Sequence, residues 1–178
     1  MIVGGLPQSV VGFIESDGDY TVAGKSTSDA IATCMNDIET YNLPIDASKI
    51  KNCFMSIPFQ LAQNNKKYMF SRIKGDYGTL GTRQKYDESL IWVVQAGYCN
   101  PCYNLKNISH PLSMFVDKGV FKAYMSDTGM LCSLLGSEAM AAVYRNDTAY
   151  NRGAIVENAV AEAIVKAKLP VLYYQNTD

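Results

Sequence analysis

The sequence predicts an α+β fold, mostly α, and three observations point to it. Apolar residues recur at helical spacing through most of the chain. Two strand-like runs, Tyr98 to Leu105 and Val120 to Met125, stand on either side of a loop containing His110-Pro111. Val171-Leu-Tyr-Tyr174 makes a third short strand. With 178 residues, 48% of them hydrophobic, the chain can bury a core in one compact domain or two small ones. A formal net charge of -1 excludes a strongly basic nucleic-acid binder but leaves room for a local basic patch. No apolar run approaches the roughly 18 residues needed to cross a bilayer. Met1 opens into Ile-Val-Gly-Gly without the charged start of a signal peptide. The expectation is a cytoplasmic protein with no membrane contact.

The helices follow in order. Pro7 to Glu15 begins with a proline where a missing N–H costs nothing, and Val10, Val11 and Ile14 fall at helical spacing. An acidic turn leads to a helix from Ser28 to Tyr41, with Ile31, Met35, Ile38 and Tyr41 on one face and Ser26 or Ser28 as its cap. A third helix, Ser48 to Ile57, turns Ile50, Cys53, Phe54 and Ile57 inward; Pro58 should end it and begin a very short helix to about Gln63. Lys66, Lys67, Arg72, Lys74, Arg83 and Lys85 then stand against one acid, Asp76, among the glycines Gly75, Gly78 and Gly81, which predicts a mobile basic loop. Tyr86 to Ala96 is helical, with Leu90, Val93 and Val94 inward and Gly97 closing the last turn. Helix, short helix, helix and hairpin is the order of a winged helix. Arg152 to Lys168 is the last helix, with Val156, Val160, Ala163, Ile164 and Ala167 on one stripe.

Three motifs invite catalytic readings that their contexts oppose. Gly24-Lys-Ser-Thr27 matches the tail of a phosphate-binding loop, but Asp19 occupies the position of the required first glycine, and the acidic stretch before it would repel phosphates. A polar turn between helices is expected there. Cys99-Asn-Pro-Cys102 is the sole C-x-x-C among five cysteines; with His110 the only histidine and Cys132 far off, two half-buried thiols are expected rather than zinc or redox chemistry. Asp127-Thr-Gly129 is the triplet of aspartic proteases, present once in a mainly helical chain, so Asp127 is expected to cap a helix from Thr128 to Leu135.

A longer series of short motifs runs in order along nearly the whole chain. It comprises Gly4-Gly-Leu-Pro-Gln8, Asn36-Asp-Ile38, Ser56-Ile-Pro-Phe-Gln-Leu-Ala62 with Asn65-Lys-Lys67, and Gln95-Ala-Gly97. Pro111-Leu112, Phe121-Lys-Ala-Tyr124 with Asp127-Thr-Gly129, Gly153-Ala-Ile-Val-Glu-Asn158 and Tyr173-Tyr174 complete it. Together they resemble predicted bacterial and archaeal AAA-type ATPases that carry a conserved domain of unknown function after the ATPase module.

The resemblance implies a nucleotide-binding module ahead of the glycine pair and nuclease-like strands after Tyr174. Neither is in this sequence, so the chain is expected to be a fragment ending at Asp178. ATP and Mg²⁺ are then expected only for the missing module, with no cofactor in this chain. The implied division is a helical linker over 1–45, a winged-helix-like domain over 46–136, and over 137–178 the start of an incomplete restriction-endonuclease-like lobe. Glu157 falls at the glutamate that stands beside the metal-binding acids in such lobes, although a solvated helix carboxylate is the competing reading.

The function expected is a non-catalytic interaction module of winged-helix type serving an AAA-type ATPase. Its ligand is either DNA, met by Lys66, Lys67, Arg72, Lys74, Arg83 and Lys85, or a protein partner; against DNA stand Asp87 and Glu88 beside the basic stretch. Structural coupling, or part of a metal-dependent nuclease, are the alternatives. The apolar stripe of the last helix predicts self-association.

Overall fold

Helix α1 spans Pro7–Glu15, as its proline start predicts. Its contact with the next helix, however, is made by small polar residues: Ser9 is buried with its hydroxyl 2.9 Å from that of Thr27, while Val11 and Ile14 are exposed. Side chains this short bring the two helices close and turn the expected apolar face outward. The computed structural model describes residues 1–75, 78–147 and 152–175; Asp76 and Asp178 lie outside them.

Helix α2, Tyr20–Tyr41, begins well before Ser28, and its cap is Asp19 rather than Ser26 or Ser28: the carboxylate accepts the Thr21 N–H at 2.8 Å. Gly24-Lys-Ser-Thr27 therefore lies inside a helix instead of in a turn. Gly24 is needed for packing, since a Cβ there would stand 2.6 Å from Cε of Met140. Ile38 is buried as expected, whereas Tyr41, at the last turn, is exposed.

Helix α3 runs unbroken through Pro44–Leu61. Pro58 does not end it: the helix gives up the hydrogen bond that the Pro58 N–H would have made, and the proline is buried in return. Ile50, Cys53, Phe54 and Ile57 face inward as predicted. The stretch expected to be a mobile loop carries structure of its own. Phe70–Arg72 forms a 3-10 turn, Lys74 bridges Leu80, and the Gly81 N–H bonds the carbonyl of buried Ile73 at 2.9 Å. Helix α4, Arg83–Gln95, starts earlier than Tyr86 because Thr82 caps it, and Gly97 follows at φ 80°.

Strands β1, Cys99–Leu105, and β2, Val116–Met125, form the predicted antiparallel hairpin, with Cys99 opposite Met125. β2 starts before Val120. Asp127 caps α5, Thr128–Leu135, as predicted, and α6, Ser137–Tyr144, has no counterpart among the expected elements. Helix α7, Gly153–Lys166, buries Ala154, Ile155, Asn158, Ala161 and Glu162. The predicted stripe lies on the other side: Val156 is 46% and Val160 54% exposed. Strand β3, Leu172–Tyr174, the predicted third strand, finds its neighbour earlier in the chain: it pairs in parallel with β1, giving the order β2-β1-β3. The fold is thus α+β and mostly α, with one cluster of buried residues drawn from α2, α3, α4, the hairpin, α5 and α7. Among the described residues no helix is long and apolar enough to cross a membrane.

Candidate functional site

Two anchors assemble a charged cluster at the side of the sheet. The first is the chain after α3: the Tyr68 N–H bonds the Phe121 carbonyl at 2.8 Å, and the two rings stack at 5.4 Å. This places Lys66 beside β2. The second is Asn158, wholly buried, whose side-chain amide accepts from the Met125 N–H at 2.8 Å and donates to the Met125 carbonyl at 3.1 Å. It fixes α7 against the end of β2 and sets its neighbour Glu157 over the strand.

The Glu157 carboxylate meets Lys66 Nζ at 2.6 Å, Lys122 Nζ at 3.4 Å and the Tyr124 hydroxyl at 3.1 Å. Burial opposes its ionisation, but the hydrogen bond and charge of Lys66, the charge of Lys122 and the Tyr124 hydroxyl prevail and hold it below the usual carboxylate range. Burial foremost, then the carboxylate, pushes the Tyr124 phenol well up. Lys122 also lies 5.1 Å from the centre of the Tyr173 ring. A cavity of about 660 Å³ opens here, with Lys67 and Asn65 completing one wall.

The six cations predicted to act together occupy different settings. Lys66 is joined to Glu157, and Lys67 lines the same cavity. Arg72 donates to the Asn65 carbonyl at 2.9 Å. Lys74 is on the exposed loop edge. Arg83 pairs with Asp87 at 3.4 Å and sits over the Phe70 ring, while Lys85 lies over the Tyr86 ring at 5.3 Å. Sequence reasoning missed Lys122, Tyr124 and Asn158. The signal for the first two was present, since residues two apart on a strand share a face.

A second polar knot lies at the opposite end of α7. Glu162 accepts from the Thr128 N–H at 2.9 Å and from its hydroxyl at 2.5 Å, and pairs with Lys166. Its carboxyl, too, is held low: burial raises it, but Lys166 and Thr128 outweigh that. Cys99 and Cys102 are both buried, and desolvation pushes their thiols up to about 12 and about 11, so neither is poised for thiolate chemistry. Among the described residues no group of three or more His, Cys, Asp or Glu side chains is placed to hold a metal ion.

The cluster is an ion-pair network bridging a helix, a strand and the preceding loop. The chain belongs to a family described as a domain of unknown function, DUF8612, whose model matches residues 1–141. Lys66, Lys122 and Tyr124 lie within that stretch and Glu157 beyond it. No curated protein and no solved structure matches the chain.

Proposed function

We propose that this chain is a non-catalytic interaction module of winged-helix type that serves an AAA-type ATPase. The observation that carries the reading is the setting of Glu157. A carboxylate already matched by Lys66 and Lys122 is poorly suited to recruit Mg²⁺, which needs two or more acids for phosphodiester hydrolysis. Helices α3 and α4 ahead of the β1–β2 hairpin keep part of the winged-helix order, although the expected short helix from Pro58 is the last turn of α3, and the motif series supports the link to an ATPase. Nucleotide and its Mg²⁺ belong, on this reading, to a separate module: the residues of Gly24-Lys-Ser-Thr27 do not fit them, because their N–H groups lie inside α2.

The test is incubation with plasmid and single-stranded DNA in Mg²⁺ and in Mn²⁺. No cleavage is expected. Cleavage that disappears in Glu157→Gln would replace this reading with a nuclease one.

A second reading, contact with DNA, is favoured by Lys67, Lys74 and Lys85, which meet no carboxylate among the described residues. Against it, Arg83 is matched by Asp87, and Glu88 is exposed on the same helix. Such binding would be insensitive to sequence and would fall about 10²-fold between roughly 50 and 200 mM salt. A fluorescence titration of a labelled duplex decides it.

A further inference from the structure

The outer side of α3 carries apolar residues that the fold leaves in water. Met55 and Phe59, one turn apart, are 38% and 56% exposed, and Leu80 opposite them is 72% exposed. They line a groove of about 630 Å³ together with Arg72, Lys74 and side-chain amides such as those of Asn52 and Gln63. The described residues that line it include two cations and no carboxylate.

Both walls are held in place. α3 is fixed from behind by Phe54, Ile57 and Leu61, all buried. The facing loop is tied by the Gly81-to-Ile73 backbone bond and by the Met69 N–H, which bonds Oε1 of Gln60 on α3 at 2.8 Å. Arg72 is steadied by its hydrogen bond to the Asn65 carbonyl, which leaves other guanidinium donors of its fork for a ligand. A fixed apolar floor with cations on one rim is a recognition surface, because binding neither has to order it nor has to strip a charge from its centre.

We propose that this groove docks a protein segment that alternates bulky apolar side chains with Asp or Glu. The apolar anchors fill the space between Met55, Phe59 and Leu80, and the carboxylates meet Arg72 and Lys74. Charge selects an acidic segment over a basic one, and the Arg72 fork suits a planar carboxylate. The exposed apolar area selects protein over DNA, since a phosphodiester backbone would meet the two cations and gain nothing from Phe59 or Leu80. The proposal rests on the interaction-module reading and names the partner's chemistry.

The experiment is a display selection of short random peptides against the folded chain, counter-selected with the double variant Phe59→Ala, Leu80→Ala. A labelled winner is then titrated by fluorescence polarisation. Acidic-apolar winners are expected, with affinity falling about tenfold or more in that variant and in Arg72→Glu, Lys74→Glu. Phe59, Lys74 and Leu80 are exposed and Arg72 is half-exposed with one hydrogen bond to the Asn65 carbonyl, so both variants should fold; if one misfolds, the other decides. Failure to enrich any peptide, enrichment of basic ones, affinity unchanged in a folded variant, or displacement of the peptide by duplex DNA that itself needs Phe59 would overturn the proposal. A failure here with DNA still uncleaved would leave the module reading standing, whereas cleavage dependent on Glu157 would remove that reading whatever the peptide does.

Discussion

The Asp127 carboxylate accepts the backbone N–H of Gly5, 122 residues earlier in the chain, at 2.5 Å and that of Met130 at 2.8 Å. One side chain thus caps α5 and ties down the segment that leads into α1. The protease-like triplet and the N-terminal glycine pair are two halves of a single structural contact.

Asp127→Ala removes the cap and leaves the Gly5 N–H without its acceptor. An N-cap loss costs about 0.5–2 kcal/mol, and because Gly5 is exposed its freed N–H can turn to water, so a total of about 1–2 kcal/mol is expected by urea denaturation. Asp127→Asn keeps an acceptor and should cost clearly less. Equal losses for the two variants would contradict the double role.

Gly129 completes the contact from the other side. A Cβ at this position would lie 2.8 Å from both the Gly4 nitrogen and the Val3 carbonyl oxygen, atoms of backbone that cannot swing aside. Gly129→Ala should therefore lower stability by about 1–3 kcal/mol. An unchanged melting temperature would show that the N-terminal segment does not sit there.

Acid should weaken the fold through Glu157 and Glu162. Both carboxyls are held below the ordinary value of 4.5, so as pH falls the unfolded chain binds protons first. Their contribution is complete above about 4.5 and is lost as pH drops through the lowered folded-state values. Glu162→Gln should flatten the acid limb of a stability profile measured by denaturation. The same slope in wild type and variant would refute it.

The two faces of α7 should respond in opposite ways. Asn158→Ala strands the buried Met125 N–H and carbonyl, at a cost of about 2–4 kcal/mol. Val160→Glu, on the exposed stripe, should change stability by no more than about 0.5 kcal/mol. Denaturation of the two variants side by side distinguishes this arrangement from one in which the apolar stripe is the buried face.

Calorimetry with ATP and Mg²⁺ should show no micromolar binding. Lys25 is an exposed residue in the body of α2, and the surrounding N–H groups are committed to the helix. Binding that vanishes in Lys25→Ala would show that the helix opens to form a phosphate site.

The elements legible in the sequence were those whose signals are local. Pro7 marked the start of α1, and the spacing of Ile50, Cys53, Phe54 and Ile57 gave the buried face of α3. The strand-like run Val120 to Met125 marked β2, and Asp127 announced the cap of α5. Each depends on neighbours within a turn or two, where steric limits and free N–H groups act regardless of the rest of the fold. Glu157 and Lys66 were also visible singly, as an acid on a helix and a cation after one.

Their pairing was decided by tertiary structure. Lys66 reaches Glu157 only because Tyr68 is docked on Phe121 and Asn158 is bonded to Met125, contacts that span distant parts of the chain. The same applies to α7, whose sequence shows an apolar stripe as good as any core face. It turned outward because Asn158 and Glu162 find hydrogen-bond partners on β2 and α5, and a buried polar group with such partners can hold a helix in one orientation that apolar burial alone would not select.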